Sequence, residues 1–198
     1  MKFIDKNKIF LNKPLNDLDK LVLRFVKIIE KYVEYVIVSG YVSLLFGRSR
    51  STEDVDLFIR VMNIENFAKL SENLKSNGFW CLNAESNDEM YSYLKDGLAL
   101  RFANKGEIIP NFEVKFAIKY LAKDAFIDPI EVMTNEGSLK ISSLEKQIAF
   151  KRYYLKSDKD LEDARYIEKL FKDKLNKEKI KKYKELIDKY EKTESRQE

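Results

Sequence analysis

Val36-Ile37-Val38-Ser39-Gly40 and the downstream Arg50-Ser51-Thr52-Glu53-Asp54-Val55-Asp56-Leu57-Phe58-Ile59 decide the fold of this chain. The first stretch is a short apolar run ending in two small residues, the pattern of a buried strand entering a tight turn. Tyr41 to Phe46 then reads as a short helix stopped by Gly47, and the polar loop Arg48 to Glu53 leads into a second strand, Val55 to Arg60. Side chains two apart on a strand share a face, so Asp54 and Asp56 present paired carboxylates to one spot beside the Ser-Gly turn. Carboxylates that close repel each other unless a cation lies between them, and Mg2+ takes one or two carboxylates together with substrate phosphates. Strand, small-residue turn and Asp-x-Asp outline a nucleotide–metal site.

Outward from this centre, Leu15 to Val33 carries Leu18, Leu21, Val22, Phe25, Ile28 and Ile29 at helical spacing, with Pro14 near the start, where proline is tolerated. Downstream, a helix is predicted over Ile64 to Ser76, closed by Asn77-Gly78, then a strand over Phe79 to Leu82. Asn83 to Asp88 reads as a polar loop, and Met90 to Tyr93 and Leu98 to Phe102 as further strands. Phe112 to Phe116 alternates apolar and charged residues, the mark of a half-buried strand. The stretch from Ile118 to Met133, broken by Pro129, has no clear period. From Ser143 the periodicity is helical, with further helices over Lys159 to Phe171 and Lys177 to Lys192 and a tail from Thr193 that should fray. The expected class is α/β (α+β): a small mixed sheet with flanking helices over residues 1–136, then a helical region over 137–198.

Composition narrows the chemistry. The 198 residues contain no histidine, which removes Ser-His-Asp triads, histidine metal sites and histidine acid–base catalysis together. The single cysteine, Cys81, permits no internal disulfide and no cysteine-cluster zinc site; between Trp80 and Leu82 it reads as a packed strand residue. Carboxylates, lysines, hydroxyls and a hard metal ion are what remain. A net charge of +4, from 37 basic and 33 acidic residues, leans weakly toward nucleotide or nucleic acid. No apolar run approaches the ~20 residues that span a bilayer and no signal-peptide pattern opens the chain, so the expected location is cytoplasmic.

Gly40-Tyr41, Gly47 and Arg50-x-Thr52-x-Asp54-x-Asp56 together resemble the signature of the nucleotidyltransferase superfamily with the DNA polymerase β-like fold. The resemblance is nearest to the minimal, stand-alone branch related to abortive-infection (AbiEii-type) toxins. It is good from Tyr35 to Ile59 and returns faintly at Lys151 and at Lys159-Asp160-Leu161-Glu162-Asp163. That family usually carries Gly-Gly at the turn, where this chain has Ser39-Gly40.

The resemblance implies an enzyme that moves a nucleoside monophosphate from an NTP to an acceptor, with Mg2+ (or Mn2+) as cofactor. Asp54 and Asp56 would be catalytic metal ligands, and a third carboxylate is expected on a neighbouring strand: Glu113, with Glu131 as its competitor. Ser39 and Gly40 would let a triphosphate approach the backbone, and one of Arg48 and Arg50 would neutralise its charge. Thr52 would order the loop, and Lys151 would reach the triphosphate, steadied by Asp160 and Asp163. The acceptor is open between an RNA 3′ end such as that of tRNA, a protein hydroxyl and a small molecule; an antitoxin partner is implied by the toxin-related branch. Two other readings compete. One is a non-catalytic member that binds nucleotide or a partner, signalled by a missing third carboxylate or a site filled by the protein's own side chain. The other is a glycosyltransferase, which uses Asp-x-Asp on a nucleotide sugar. The lysine-rich last helix reads as a self-neutralised solvated face, because Glu and Asp interleave with its lysines.

Overall fold

The computed structural model describes residues 1–194. The chain opens with β1 (Lys2–Asp5), β2 (Lys8–Phe10), α1 (Asp17–Ile29), β3 (Tyr35–Ile37), α2 (Gly40–Leu45), β4 (Asp54–Ile59), α3 (Ile64–Ser76), β5 (Phe79–Cys81) and α4 (Asn87–Lys95). It continues through β6 (Leu100–Asn104), β7 (Asn111–Phe116), α5 (Tyr120–Asp124), β8 (Ile130–Met133), β9 (Ser138–Ile141), α6 (Leu144–Phe150), α7 (Asp158–Leu170) and α8 (Lys177–Glu194). A wider, π-type turn over Lys151–Leu155 extends α6.

Among the described residues the strands form one nine-stranded mixed sheet in the order β1-β2-β8-β9-β3-β4-β7-β6-β5. This is the expected α/β class, with a larger sheet than expected. The N-terminal pair β1–β2 and the strand β9 add to it, and helices take over from Leu144. The aspartate strand β4 lies inside the sheet, antiparallel to β3 and parallel to β7. Its Val55, Leu57 and Ile59 point to one face and are buried, as are Phe112, Val114 and Phe116 of β7. Helix α1 packs on that face: Phe25 stacks on Phe112 with ring centroids 3.8 Å apart and meets Phe79 edge-on at 5.0 Å. The opposite face of the same strands carries Asp54, Asp56, Phe58, Glu113 and Lys115, and period-two alternation puts them there.

α1 begins with a capping box in which Asn16 and Asp19 each accept the other's backbone N–H. Asp19 is buried; it pairs with Lys13 at 2.9 Å and accepts a hydrogen bond from the Tyr41 hydroxyl at 2.9 Å. That bond ties α1 to the helix that follows the Ser-Gly turn.

Residues 90–93 are not a strand. Ser86 caps α4 by accepting from the Glu89 N–H at 3.2 Å, Asp88 and Glu89 sit in the first turn, and Lys95 in the last. Met90 and Leu94, four apart, are the buried pair. Helical capping and the i, i+4 apolar pair outweigh the local β-propensity of Tyr91 and Tyr93. The undecided stretch after Ile118 becomes α5 and β8. Cys81 is half-buried on β5. No described helix is long and apolar enough to cross a membrane. α8 continues through Glu194, and the rest of the tail expected to fray lies outside the described residues.

Candidate active site

Residue for residue, β4 aligns with β7: Asp54 lies opposite Asn111 and Asp56 opposite Glu113. Three carboxylates therefore occupy neighbouring positions on one sheet face, at the strand ends beside the Ser39-Gly40 turn. Burial, followed by the charge of Asp54, pushes the Asp56 carboxyl up to about 6; Glu113 adds to the rise, while Lys115 and a hydrogen bond with the Ser39 side chain oppose it. Thr52 donates to the Asp54 carbonyl at 2.9 Å and lies 3.3 Å from its carboxylate, fixing the loop where it enters the strand.

Glu113 is engaged by two cations, Arg101 from β6 at 2.8 Å and Lys115 at 3.5 Å. Among the described residues no three acidic, histidine or cysteine side chains gather into a metal cage. The donor set nonetheless suits a hard divalent ion. Asp54 and Asp56 are oxygen ligands whose mutual repulsion a cation relieves, and the buried Asn111 side-chain oxygen on the adjacent strand has no hydrogen-bond partner among the described residues. Mg2+ needs no more than one or two protein carboxylates when phosphates and water complete its shell. Glu131, the competing third carboxylate, lies on β8, separated from β4 by β9 and β3, and pairs with Lys8 at 3.1 Å.

Ser39 turns the chain from β3 into α2 with φ 63° and ψ −138°, a conformation that costs a non-glycine residue about 1–3 kcal/mol. Gly40 is fixed by a close approach: a Cβ there would lie 3.1 Å from the Arg50 guanidinium. Arg50 in turn donates to Asp163 at 2.5 Å, and Arg48 donates to Asp163 and to Glu162. Lys151 completes the cluster at 2.8 Å from Asp163 and 3.2 Å from Asp160. Lys151 and Asp163 are both wholly buried, at 0% exposure. Burial alone would raise the Asp163 carboxyl, but Lys151, Arg48 and Arg50 hold it below the usual carboxylate range. The cations expected at a phosphate site thus converge on one buried aspartate of α7. Tyr166 of the same helix donates to the Phe46 carbonyl at 2.9 Å, locking α7 against the end of α2.

A cavity of about 410 Å³, lined in part by Asp56, opens between the sheet face and the C-terminal helices. Ser39, Asp56, Phe58 and Lys115 line it from the sheet side, and Phe150, Tyr154, Leu186 and Tyr190 from the helices. Lys146 also lines it, buried beneath Tyr183 and joined to Asp124 at 3.0 Å; burial holds its ammonium below the usual lysine range, against the pull of Asp124.

No family model matches the chain, and no curated protein matches it. Solved structures do. An antigenic nucleotidyltransferase-like protein from Paracoccidioides brasiliensis superposes with a TM-score of 0.51 at 19% identity, over 76% of this chain and 75% of that one. The solution structure of the antibiotic-resistance factor ANT(2'')-Ia gives 0.56 at 14% identity, over 90% and 95%. Its crystal structure in complex with adenylyl-2''-tobramycin gives 0.55 at 15%, over 86% and 97%. The fold is nucleotidyltransferase-like.

Within that fold, the sequence-predicted residues divide into two groups. Asp54, Asp56, Glu113 and Ser39 share the sheet face; Arg48, Arg50 and Lys151 join Asp163. Arg101, Lys115 and Lys146 were not anticipated. Lys115 was legible in principle, two residues after Glu113 on an alternating strand. Arg101 depends on a β6–β7 pairing, Arg101 opposite Glu113, that only the folded sheet supplies.

Two outcomes follow from these contacts. Replacing Asp163 by Asn leaves buried cations without their anion and is expected to cost about 3–5 kcal/mol in urea unfolding, against about 1 kcal/mol or less for Asp160→Asn. Asp56 binds its proton more tightly folded than unfolded, so in metal-free protein its contribution to stability falls as pH rises from about 4 to about 6. Asp56→Asn should therefore stabilise the protein by roughly 2 kcal/mol at pH 7.5, a gain that shrinks toward pH 4 in thermal melts.

Proposed function

We propose that this protein is a metal-dependent nucleotidyltransferase that transfers a nucleoside monophosphate from an NTP to a hydroxyl-bearing acceptor, releasing pyrophosphate. The observation that carries this reading is the Asp54–Asp56 pair on one strand face, with Asp56 beside Ser39 and in register with Glu113. The nucleotidyltransferase-like fold agrees with it. A bound Mg2+ or Mn2+ would supply charge neutralisation on the transferring phosphate. Asp54 and Asp56 would hold that ion, with Asn111 and Glu113 as adjacent oxygen donors. The Ser39-Gly40 turn would receive the triphosphate, with Arg50 lying against Gly40. Lys151, committed to Asp160 and Asp163, would act by holding the arginine loop in place rather than by touching phosphate. Catalysis of this kind rests on positioning and electrostatics, which the rigid strand pair suits. A toxin role with an antitoxin partner belongs to the same proposal, through the Arg50-x-Thr52-x-Asp54-x-Asp56 spacing.

A second reading is favoured by one observation: Glu113 is held by Arg101 and Lys115. A third carboxylate so occupied suits a member that binds nucleotide without turning it over. The two separate on label transfer. With Mg2+ and each of the four α-³²P-NTPs, label should enter an acceptor fraction of a cell extract and be lost by about a hundredfold or more in Asp54→Asn/Asp56→Asn. Tight NTP binding with no transfer in any fraction would favour the non-catalytic reading.

A further inference from the structure

Resting on the nucleotidyltransferase reading, we propose that the cavity between the sheet face and α8 is the acceptor site, and that it takes a small, largely apolar aromatic molecule bearing a hydroxyl group. The position comes first. Asp56 and Ser39 line the cavity while Gly40 and Arg50 do not, so a donor held at the Gly40–Arg50 contact would leave it for the second substrate. The occupant's hydroxyl oxygen would bond to the α-phosphorus as the bond to the β-phosphate oxygen breaks. Pyrophosphate leaves and the hydroxyl proton passes to water.

The lining sets the class. Phe58 from the strands and Phe150, Tyr154 and Tyr190 from the helices give the cavity aromatic walls. Phe150 and Tyr154 stack with ring centroids 4.7 Å apart, and Tyr154 meets Tyr190 at 6.4 Å, so one wall is a continuous aromatic surface. Its charged lining is mixed, Asp56 and Asp124 against Lys115, Lys119 and Lys146, with Lys146 joined to Asp124 and Lys115 to Glu113 outside it. A polycation would find no excess of acid there, and a nucleic acid strand needs a positively charged groove that follows its backbone. About 410 Å³ is the size of a small-molecule site. The apolar stripe of α8, with Tyr183, Leu186, Ile187 and Tyr190, thereby gains a purpose as the cavity's roof.

The test uses 2-naphthol as the probe, with tobramycin and a single-stranded oligoribonucleotide as the polycationic and nucleic-acid alternatives. Binding is followed by saturation-transfer NMR and titration, and donor binding by a fluorescent ATP analogue with Mg2+. Ala122→Phe and Leu186→Trp each fill the cavity from a different element, so a folding failure in one leaves the other. The expected result is 2-naphthol binding with a Kd below about 1 mM, weakened about tenfold or more in a folded filling variant that still binds the ATP analogue. Failure of 2-naphthol to bind, equal binding to both folded filling variants, or displacement of the probe by tobramycin or the oligoribonucleotide would overturn the proposal. If wild-type protein holds 2-naphthol but does not bind the ATP analogue, the nucleotidyltransferase reading fails and the acceptor role falls with it, while the cavity's ligand class stands.

Discussion

The buried carboxylate of Asp163 is the interaction on which the layout of this protein depends. It receives Lys151, Arg48 and Arg50, and so fastens the loop before the aspartate strand to the helices that follow the sheet. A buried charge is tolerable only when its partners are close and well hydrogen-bonded. Once that condition is met, the Arg50 guanidinium lies against Gly40, and a Cβ at position 40 would press on it at 3.1 Å. A helix more than a hundred residues downstream thereby favours the small residue at position 40.

Asp56 shows the opposite balance. It is held in a half-buried place next to Asp54, and its carboxyl is raised to about 6. Ser39 accepts an unfavourable backbone conformation at the same spot. Local strain and like charges in one place are costs a purely structural design would avoid, and such costs cluster at functional sites. The rest of the sheet is built to sustain them. The stack of Phe25 on Phe112 anchors the far side of the same strands, and the Tyr41–Asp19 bond anchors the turn.

Much of this was legible in the sequence because it follows from short periods. Alternation along Asp54 to Ile59 and Asn111 to Phe116 assigned the two strands and the shared face of Asp54 and Asp56, and helical spacing located α1, α3 and the C-terminal helices. Long-range pairing was not legible. Arg48 and Arg50 are separated from Asp163 by most of the chain, so their convergence there belongs to the fold alone. Met90 to Tyr93 was misread because its apolar and aromatic residues suit either period; the cap at Ser86 and the acidic first turn carry the decision for helix. The strands β1 and β2 are only 4 and 3 residues long and mostly exposed, too short for a periodic pattern to emerge.

Metal binding at the aspartate pair tests this account most directly. Mn2+ titration followed by electron paramagnetic resonance, with a non-hydrolysable ATP analogue present, needs neither acceptor nor turnover. A single class of bound Mn2+, weakened about tenfold or more in Asp56→Asn with the fold intact by circular dichroism, is the predicted result. Equal Mn2+ affinity in wild type and Asp56→Asn would contradict it.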